Sequence, residues 1–362
     1  MLFVKTEDLK PDMRLAKPIY NKKGVLLFDR DTRLTKQSII SIANFGLIGI
    51  YILEPAEPVP PMTEDDIEFE RFQTVTVFAI REDMLDLING KEPKNLINVA
   101  NSIIKKYGKL FKKLTFTQNL RSSDDYVYKH ALNVAILSAM ISHRMKLDLM
   151  TQLDVVVAAL LHDIGKLNLG YGLASKNDPD EEEEKEIKRE VERGYLILND
   201  FVNLSPGAKR IISQMHKEVY DVGNAYIGRE KNLYPGTKAL IIADAYDRMT
   251  AMKLDEEPQS ELKAIRTMLA EDDKYDIDTV FSLLNSINIM PPGACVEMSN
   301  GEKGLVISEN ANPLEPMVLS FVTNQIYDFT RAEREMGIRI TDIMKTMDNR
   351  IVIDKNLLKE YE

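Results

Sequence analysis

The chain has 362 residues, of which 44% are hydrophobic, and its formal net charge is −10. This length predicts two or three packed domains, and the negative charge argues against broad electrostatic binding to nucleic acid or to an anionic membrane. The single cysteine, Cys295, excludes an intrachain disulfide and is typical of a reducing compartment. The charged N-terminus lacks the apolar core of a signal peptide, and no apolar run is long enough to span a membrane. We therefore expect a cytoplasmic protein without a DNA or RNA partner.

Residues 1–55 are predicted to form a small α+β module. RLAKPIYN and GVLLFD are typical of strands joined by the turn NKKG, and IGIYILEP is typical of a later strand. Before that strand, LTKQSIISIANFGL predicts an amphipathic helix. Its apolar residues expected on one side are Ile39, Ile40, Ile42 and Leu47. The proline-rich and acidic residues 56–66 predict a linker.

Helical patterns dominate the next part of the chain, which we divide into a helical connector, residues 67–121, and a core domain, residues 122–288. FERFQTVTVFAIREDMLDLING predicts a helix broken near TVTV. The segment VYKHALNVAILSAMISHRM is apolar on nearly every side, which predicts deep burial. Residues 289–362 are predicted to form a β-rich tail with a terminal helix. GACVEMSNGEKGLVISEN and MVLSFVTNQIYDFT supply its two strand pairs.

Three of the four histidines in the chain accompany acidic residues in otherwise apolar helices. These residues are His130, the pair His162 and Asp163, His216 and Asp244. Each alone is typical of a satisfied core residue or a surface residue, but an unpaired carboxylate such as Asp244 is costly to bury. Imidazole nitrogens and carboxylate oxygens are ligands for divalent metals, so together these residues predict a metal site. The fourth histidine, His143, is predicted to lie exposed at a helix end.

The order H…HD…D resembles the HD superfamily of metal-dependent phosphohydrolases. More narrowly, the chain resembles the HD-GYP branch, whose members hydrolyse cyclic di-GMP. DDYVYKHALNVA, LLHDIGKLNL and ALIIADAYDRMTAMK carry the resemblance, from about Ser122 to Lys253. It implies a mainly α fold with an HD-type helical bundle core, a small N-terminal α+β module and a C-terminal β-rich tail. It also implies a phosphodiesterase that converts cyclic di-GMP to pGpG or GMP in bacterial signalling.

The resemblance further implies a site for two divalent ions, iron or manganese. The first ion would be held by His130, His162, Asp163 and Asp244. Asp163 would bridge to a second ion shared with His216 and with Glu190, which stands four residues before Gly194, where the family has a histidine. A water between the ions would attack phosphorus. Asp163 and Lys166 are thus the predicted catalytic residues.

Two lysines are expected to bind the substrate phosphates, Lys166 and Lys253. Lys166 has an alternative role as a structural cation at a helix end. Beyond Lys253, Glu256 occupies the neighbourhood of a further basic residue of the family. Tyr126 stands where some members have a glutamate, so we expect no third metal.

The stretch that gives the family its name is altered here. The family pattern HHExxDGxGYP corresponds to HKEVYDVGNAY, so Lys217 replaces the second histidine and residues 224–226 replace GYP. Lys217 either fills part of the metal pocket or points to solvent. The alternative function is therefore a weakly active or inactive protein that binds cyclic di-GMP or a signalling protein, and a third is cleavage of another phosphorylated substrate. We also expect a homodimer, with the helices from Ile67 to Phe111 as candidates for its interface.

Overall fold

A bundle of helices between two small β-rich segments makes up the protein, which is mainly α as predicted. The computed structural model describes residues 2–21, 25–47, 49–53, 64–122, 124–176, 178–222, 233–253 and 257–344. The predicted linker lies largely outside these residues. The domain boundaries given above remain predictions. No described helix is long and apolar enough to cross a membrane.

Two small antiparallel sheets and one helix form the N-terminal segment. The strands β1 (Leu2–Lys5), β2 (Arg14–Leu15) and β5 (Gly49–Leu53) form one sheet in the order β1-β5-β2. The second sheet pairs β3 (Ile19–Tyr20) with β4 (Leu26–Phe28), as expected for a hairpin, although the turn at residues 22–24 lies outside the described chain. The helix α1 (Lys36–Asn44) begins at a capping box formed by Thr35 and Ser38.

Two details of this segment differ from the sequence prediction. RLAKPIYN forms two short strands in different sheets, because Pro18 has no N–H group with which to continue a ladder. Ile40 is 62% exposed whereas Ile42 is fully buried, so Ile40 was wrongly assigned to the apolar face. The two residues are about 200° apart around a helix, which places them on different sides.

The described residues of the helical part form ten α-helices. They are α2 (Glu64–Ile88), α3 (Leu96–Lys106), α4 (Tyr126–Arg144), α5 (Leu149–Leu161), α6 (Tyr171–Ala174), α7 (Glu181–Asp200), α8 (Pro206–Tyr220), α9 (Pro235–Thr250), α10 (Glu261–Ala270) and α11 (Ile277–Leu284). The predicted break in α2 at TVTV is wrong. Phe69, Val77 and Ile80 are buried with helical spacing, and this packing overrides the low helix propensity of β-branched residues.

Helix α4 is the centre of the bundle and packs against α2, α3, α5, α9 and α11. Its predicted deep burial is confirmed, because every residue from His130 to Ser142 is buried. His143 lies in the last turn, half-buried, with its ring against Phe111. A helix surrounded in this way can present a buried histidine to neighbouring elements.

The C-terminal segment is a five-stranded antiparallel sheet in the order β10-β6-β7-β8-β9. Its strands are β6 (Cys295–Met298), β7 (Lys303–Ser308), β8 (Met317–Ser320), β9 (Ile326–Asp328) and β10 (Ile340–Ile343), and α12 (Phe329–Met336) precedes β10. Both predicted strand pairs are confirmed. Val296, Val306 and Val318 join the same hydrophobic core as the helices. Residues 345–362, at the end of the tail for which a terminal helix is predicted, lie outside the described residues.

Candidate metal centre

Four buried residues from three helices converge on one point. His130 comes from α4, His162 caps the C-terminal end of α5, Asp163 follows it, and Asp244 comes from α9. Each offers one ligand atom, and these atoms all lie within 4.8 Å of one another. His162 keeps helical backbone angles, whereas Asp163 turns the chain into a short 3-10 helix, Ile164–Asn168. The turn lets two adjacent side chains face the same point.

The distances within this cluster place both imidazoles against carboxylates. Asp244 Oδ1 lies 3.0 Å from His130 Nε2 and 3.3 Å from His162 Nε2. Asp163 Oδ2 lies 3.4 Å from His130 Nε2, and Asp163 Oδ1 is buried without a hydrogen-bond partner among the described residues. A buried carboxylate oxygen without a partner is costly. The donor set therefore fits a divalent metal ion.

A second layer of buried polar residues holds His130 in position. Asp247 Oδ2 lies 2.6 Å from His130 Nδ1, and Arg121 donates from one nitrogen to both Asp247 oxygens, at 2.7 and 2.6 Å. Asn133 donates to Asp247 Oδ1 at 3.0 Å. When His130 is neutral and donates its Nδ1–H to Asp247, its Nε2 lone pair is directed at the cluster, as in many metal-binding histidines.

The sequence prediction missed Arg121 and Asp247 as parts of the site. Asp247 follows Asp244 by one helical turn, so its presence on the same face of α9 was a usable signal. Arg121 lies outside the helices, in the segment before α4, and its side chain is fully buried. The residues around Arg121 in the sequence do not indicate that it is buried, because its partner, Asp247, is distant in the sequence.

Two cations lie directly against the carboxylates of the cluster. Lys166 Nζ is 2.8 Å from Asp163 Oδ2, and Arg248 Nε is 2.9 Å from Asp244 Oδ2. Burial opposes ionisation of both carboxyls, but Lys166 next to Asp163 and Arg248 next to Asp244 hold their pKa values below the usual range. Burial in turn lowers the pKa of Lys166. A small cavity beside the cluster, too narrow for a water molecule, is lined by His130, Asp163, Lys166, Lys176 and Arg248, among others.

His216, a predicted ligand of the second ion, lies beside the cluster of four. Its Nε2 is 2.7 Å from the carbonyl oxygen of His162, and its Nδ1 is buried without a hydrogen-bond partner in the described part of the chain. Burial lowers the pKa of His216 to about 4. The neutral ring that donates from Nε2 leaves a lone pair on Nδ1. That lone pair is available to a metal, so its predicted role stays open.

Glu190, the other predicted ligand of the second ion, is occupied by hydrogen bonds. It is buried on α7, and its carboxylate accepts from Asn168 at 3.1 Å, Arg189 at 3.2 Å and Arg193 at 2.7 Å. Metal binding by Glu190 would require some of these bonds to be exchanged. The role of Glu190 as a ligand remains a prediction.

The remaining predicted positions lie outside the cluster of four ligands. Lys217 pairs with Asp221 at 2.6 Å with both side chains exposed, so it points to solvent and does not fill the metal pocket. Lys253 is buried three residues beyond the end of α9 and does not line the small cavity. Residues 224–226 and Glu256 lie outside the described residues. The ring of Tyr126 is stacked near the ring of His130, with centroids 6.1 Å apart.

A close approach of two glycines fixes the turn that presents Asp163. A Cβ atom on Gly165 would lie 2.0 Å from the carbonyl oxygen of Glu190, and one on Gly194 would lie 2.7 Å from the Gly165 Cα.

Gly165→Ala is expected to lower the free energy of unfolding by about 3 kcal/mol, because the backbone of Glu190 cannot move away from the added methyl group. Urea unfolding measures this loss. Gly170→Ala, where no atom lies within 4 Å of the added Cβ, is the matched control. Equal midpoints for the two variants would contradict the packing argument.

The segment that holds this cluster matches a known family of domains. The family model described as "HD domain" matches residues 103–279, which include all four residues of the cluster. The resemblance to the HD superfamily carried by HDIGK is thereby confirmed.

The chain is similar to a curated enzyme and to a solved structure, among others. Cyclic di-GMP phosphodiesterase PA4108 of Pseudomonas aeruginosa is 24% identical over 226 residues, which are 59% of this chain and 54% of that protein. The chain therefore spans about half the length of this curated relative. The structure of an HDG"Y"P protein from Bdellovibrio bacteriovorus matches with a TM-score of 0.49 and 17% identity, over 78% of this chain and 97% of that one.

Proposed function

We propose that the protein is a metal-dependent phosphodiesterase that hydrolyses cyclic di-GMP to pGpG or GMP in bacterial second-messenger signalling. The observation that carries the proposal is the buried cluster of His130, His162, Asp163 and Asp244 within an HD domain. The phosphodiesterase from Pseudomonas aeruginosa, similar over part of its length, supports the choice of substrate.

The first divalent ion would be held by the four residues of the cluster, and a second by Asp163, His216 and Glu190. Iron and manganese suit a set of imidazole and carboxylate ligands. When bound, such ions supply Lewis acidity and a water of lowered pKa. Asp247 and Arg121 position His130 for this task.

The substrate phosphate would bind at the small cavity beside the cluster, once the side chains that line it move apart to admit it. Lys166, Lys176 and Arg248 line it, so its wall carries three cations. Cations aimed at a phosphate stabilise charge that develops during its transfer. Lys166 contacts both the cavity and Asp163, which favours the catalytic role over the purely structural one. Lys253 would contact a more distant phosphate of the substrate.

One observation favours the second candidate, a weakly active or inactive receptor for cyclic di-GMP or for a signalling protein. Lys166 and Arg248 already form ion pairs with Asp163 and Asp244. These ion pairs compensate the charges of the two carboxylates without a metal and would compete with binding of a metal ion.

We also propose a homodimer through residues 67–111, supported by Ile67, Val75 and Ile97, whose side chains are 50 to 56% exposed.

A hydrolysis assay separates these candidates. The protein, purified without oxygen and supplied with Mn²⁺ or Fe²⁺, is incubated with cyclic di-GMP, and pGpG and GMP are separated by chromatography. Metal-dependent product formation is the expected result. Bound metal without product, together with measurable binding of cyclic di-GMP, would reject the enzyme in favour of the receptor. Cleavage of bis(p-nitrophenyl) phosphate but not of cyclic di-GMP would point to a different phosphorylated substrate.

Lys166→Met tests the role assigned to this lysine. We expect kcat/KM for cyclic di-GMP to fall by about 100-fold, because a buried cation beside the reacting phosphate is lost. The amount of metal bound per chain should stay at the wild-type level, since the substitution changes none of the proposed metal ligands. Steady-state kinetics with metal analysis measure both. Lys217→Met, which removes a solvent-facing lysine, is the control. A kcat/KM as high as in this control would reject a catalytic role for Lys166.

A further inference from the structure

A second and larger cavity lies between the N-terminal segment and the helical bundle. Its volume is about 140 Å³, and the space at its open mouth extends this to about 1100 Å³. Residues 17–21, helix α2, residues 117–122 and residues 124–129 supply most of its wall, and none of the four residues of the metal cluster lines it. We name it the interdomain cavity. A volume of this order holds one aromatic ring, so a larger ligand would extend into the open mouth.

The wall of the interdomain cavity is mainly apolar and contains several rings. The aromatic residues among its lining are Tyr20, Phe45, Phe78 and Tyr128. Aromatic side chains bind flat apolar molecules by stacking and edge contacts. This wall therefore suits a ligand with a planar apolar body.

Two cations in the wall are not paired with carboxylates. Lys17 donates to the carbonyl oxygen of Gln118 at 3.0 Å and lies over the ring of Tyr51, and Arg81 lies over the ring of Tyr128. Within the described chain, no carboxylate lies within 4.0 Å of the Lys17 or Arg81 nitrogens. Burial lowers the pKa of Lys17 to about 8, since its charge is poorly solvated. An anion would relieve that cost.

Two of the acidic residues in the same wall are paired with cations. Glu70 pairs with Arg30 at 2.8 Å, and Asp125 pairs with Lys129 at 2.6 Å. Apart from Asp124, the charges in the wall outside these two pairs are those of Lys17 and Arg81.

We infer that the interdomain cavity is a binding site for a small organic anion with a planar apolar body. The aromatic side chains hold the body, and Lys17 and Arg81 balance the charge. A nucleotide and an aromatic carboxylic acid share this chemistry.

A buried chain of amide hydrogen bonds connects this binding site to the metal centre. Gln73, in the cavity wall, donates to Asn133 Oδ1 at 2.9 Å, and Asn133 donates to Asp247 at 3.0 Å. Asp247 in turn holds His130 Nδ1 at 2.6 Å. A ligand that moves Gln73 therefore changes the support of a metal-binding histidine. This coupling rests on the proposed metal centre, whereas binding in the cavity does not.

Anilinonaphthalene sulfonate, a fluorescent aromatic anion, tests the binding site without any metal. The wild-type protein should bind it saturably, with about one site per chain. Lys17→Met and Arg81→Met should each weaken this binding about tenfold or more, the value of a lost charged contact. Lys185→Met, which removes an exposed cation on α7, should leave it unchanged. Circular dichroism checks that each variant is folded. Competition by GMP or by salicylate then distinguishes a nucleotide ligand from a carboxylic acid.

Absence of saturable binding would overturn the inference, as would equal affinity in Lys17→Met, Arg81→Met and the wild type. The coupling is measured separately, by titrating Mn²⁺ with and without saturating anilinonaphthalene sulfonate. The probe should shift the Mn²⁺ affinity of the wild type about threefold or more, and Gln73→Met should abolish the shift while still binding the probe. An unchanged Mn²⁺ affinity in the wild type would overturn the coupling alone. A protein that binds the probe but no Mn²⁺ would instead overturn the proposed metal centre.

Discussion

Asp163→Asn is expected to eliminate bound metal and to reduce cyclic di-GMP hydrolysis by about 1000-fold or more. The reason is that Asp163 supplies both a ligand oxygen near His130 and the buried Oδ1, which accepts no hydrogen bond from any described residue. An amide of the same shape keeps the packing but is a much poorer ligand for a divalent ion. Metal analysis and the hydrolysis assay measure the two losses.

Asp148→Asn is the matched control for this variant. Asp148 is exposed and caps the N-terminus of the same helix, α5, by accepting from the backbone N–H groups of Met150 and Thr151. Asparagine caps helices about as well as aspartate, so metal content and turnover should stay at the wild-type level. Full metal content and turnover in Asp163→Asn would show that the cluster is not the metal centre.

Arg121→Met is expected to lower the free energy of unfolding by about 3 to 5 kcal/mol, the usual cost of breaking a buried ion pair. The side chains of Arg121 and Asp247 are both fully buried, so the substitution leaves a buried carboxylate with less compensation. Metal affinity should fall as well, because Asp247 orients His130. Urea unfolding and a Mn²⁺ titration measure the two effects.

The control for Arg121→Met is Lys185→Met, which breaks an ion pair with Glu182. Both side chains of that pair are largely exposed, at 68% and 85%. Its loss should change the free energy of unfolding by less than about 1 kcal/mol. A similarly small change in Arg121→Met would mean that Arg121 and Asp247 do not stabilise the site as described.

Much of the metal centre could be predicted because its polar and charged residues lie in otherwise apolar helical segments. Asp244 interrupts an apolar helix, and His162 and Asp163 directly follow another. The hydrophobic pattern of the sequence therefore indicated that these polar groups are buried. The helical bundle and the C-terminal hairpins were also predictable, since they follow from hydrophobic periodicity and turn residues.

Other features depend on contacts that periodicity does not encode. TVTV suggested a break in α2, but Val77 is buried against the bundle and the helix continues. Arg121 reaches Asp247 across 126 positions of the chain, and Gln73 reaches Asn133 across 60. The pairing of Lys217 with Asp221, and therefore its exposure, likewise depended on where α8 ends.

The most direct measurement of the central claim is anomalous X-ray diffraction from a crystal of the protein soaked in Mn²⁺, recorded at the manganese edge. An anomalous peak is expected among the side chains of His130, His162, Asp163 and Asp244. A second ion would give a second peak next to Asp163 and His216. A fully soaked crystal with no peak at the cluster, and with Lys166 and Arg248 still paired to the two carboxylates, would contradict the central claim.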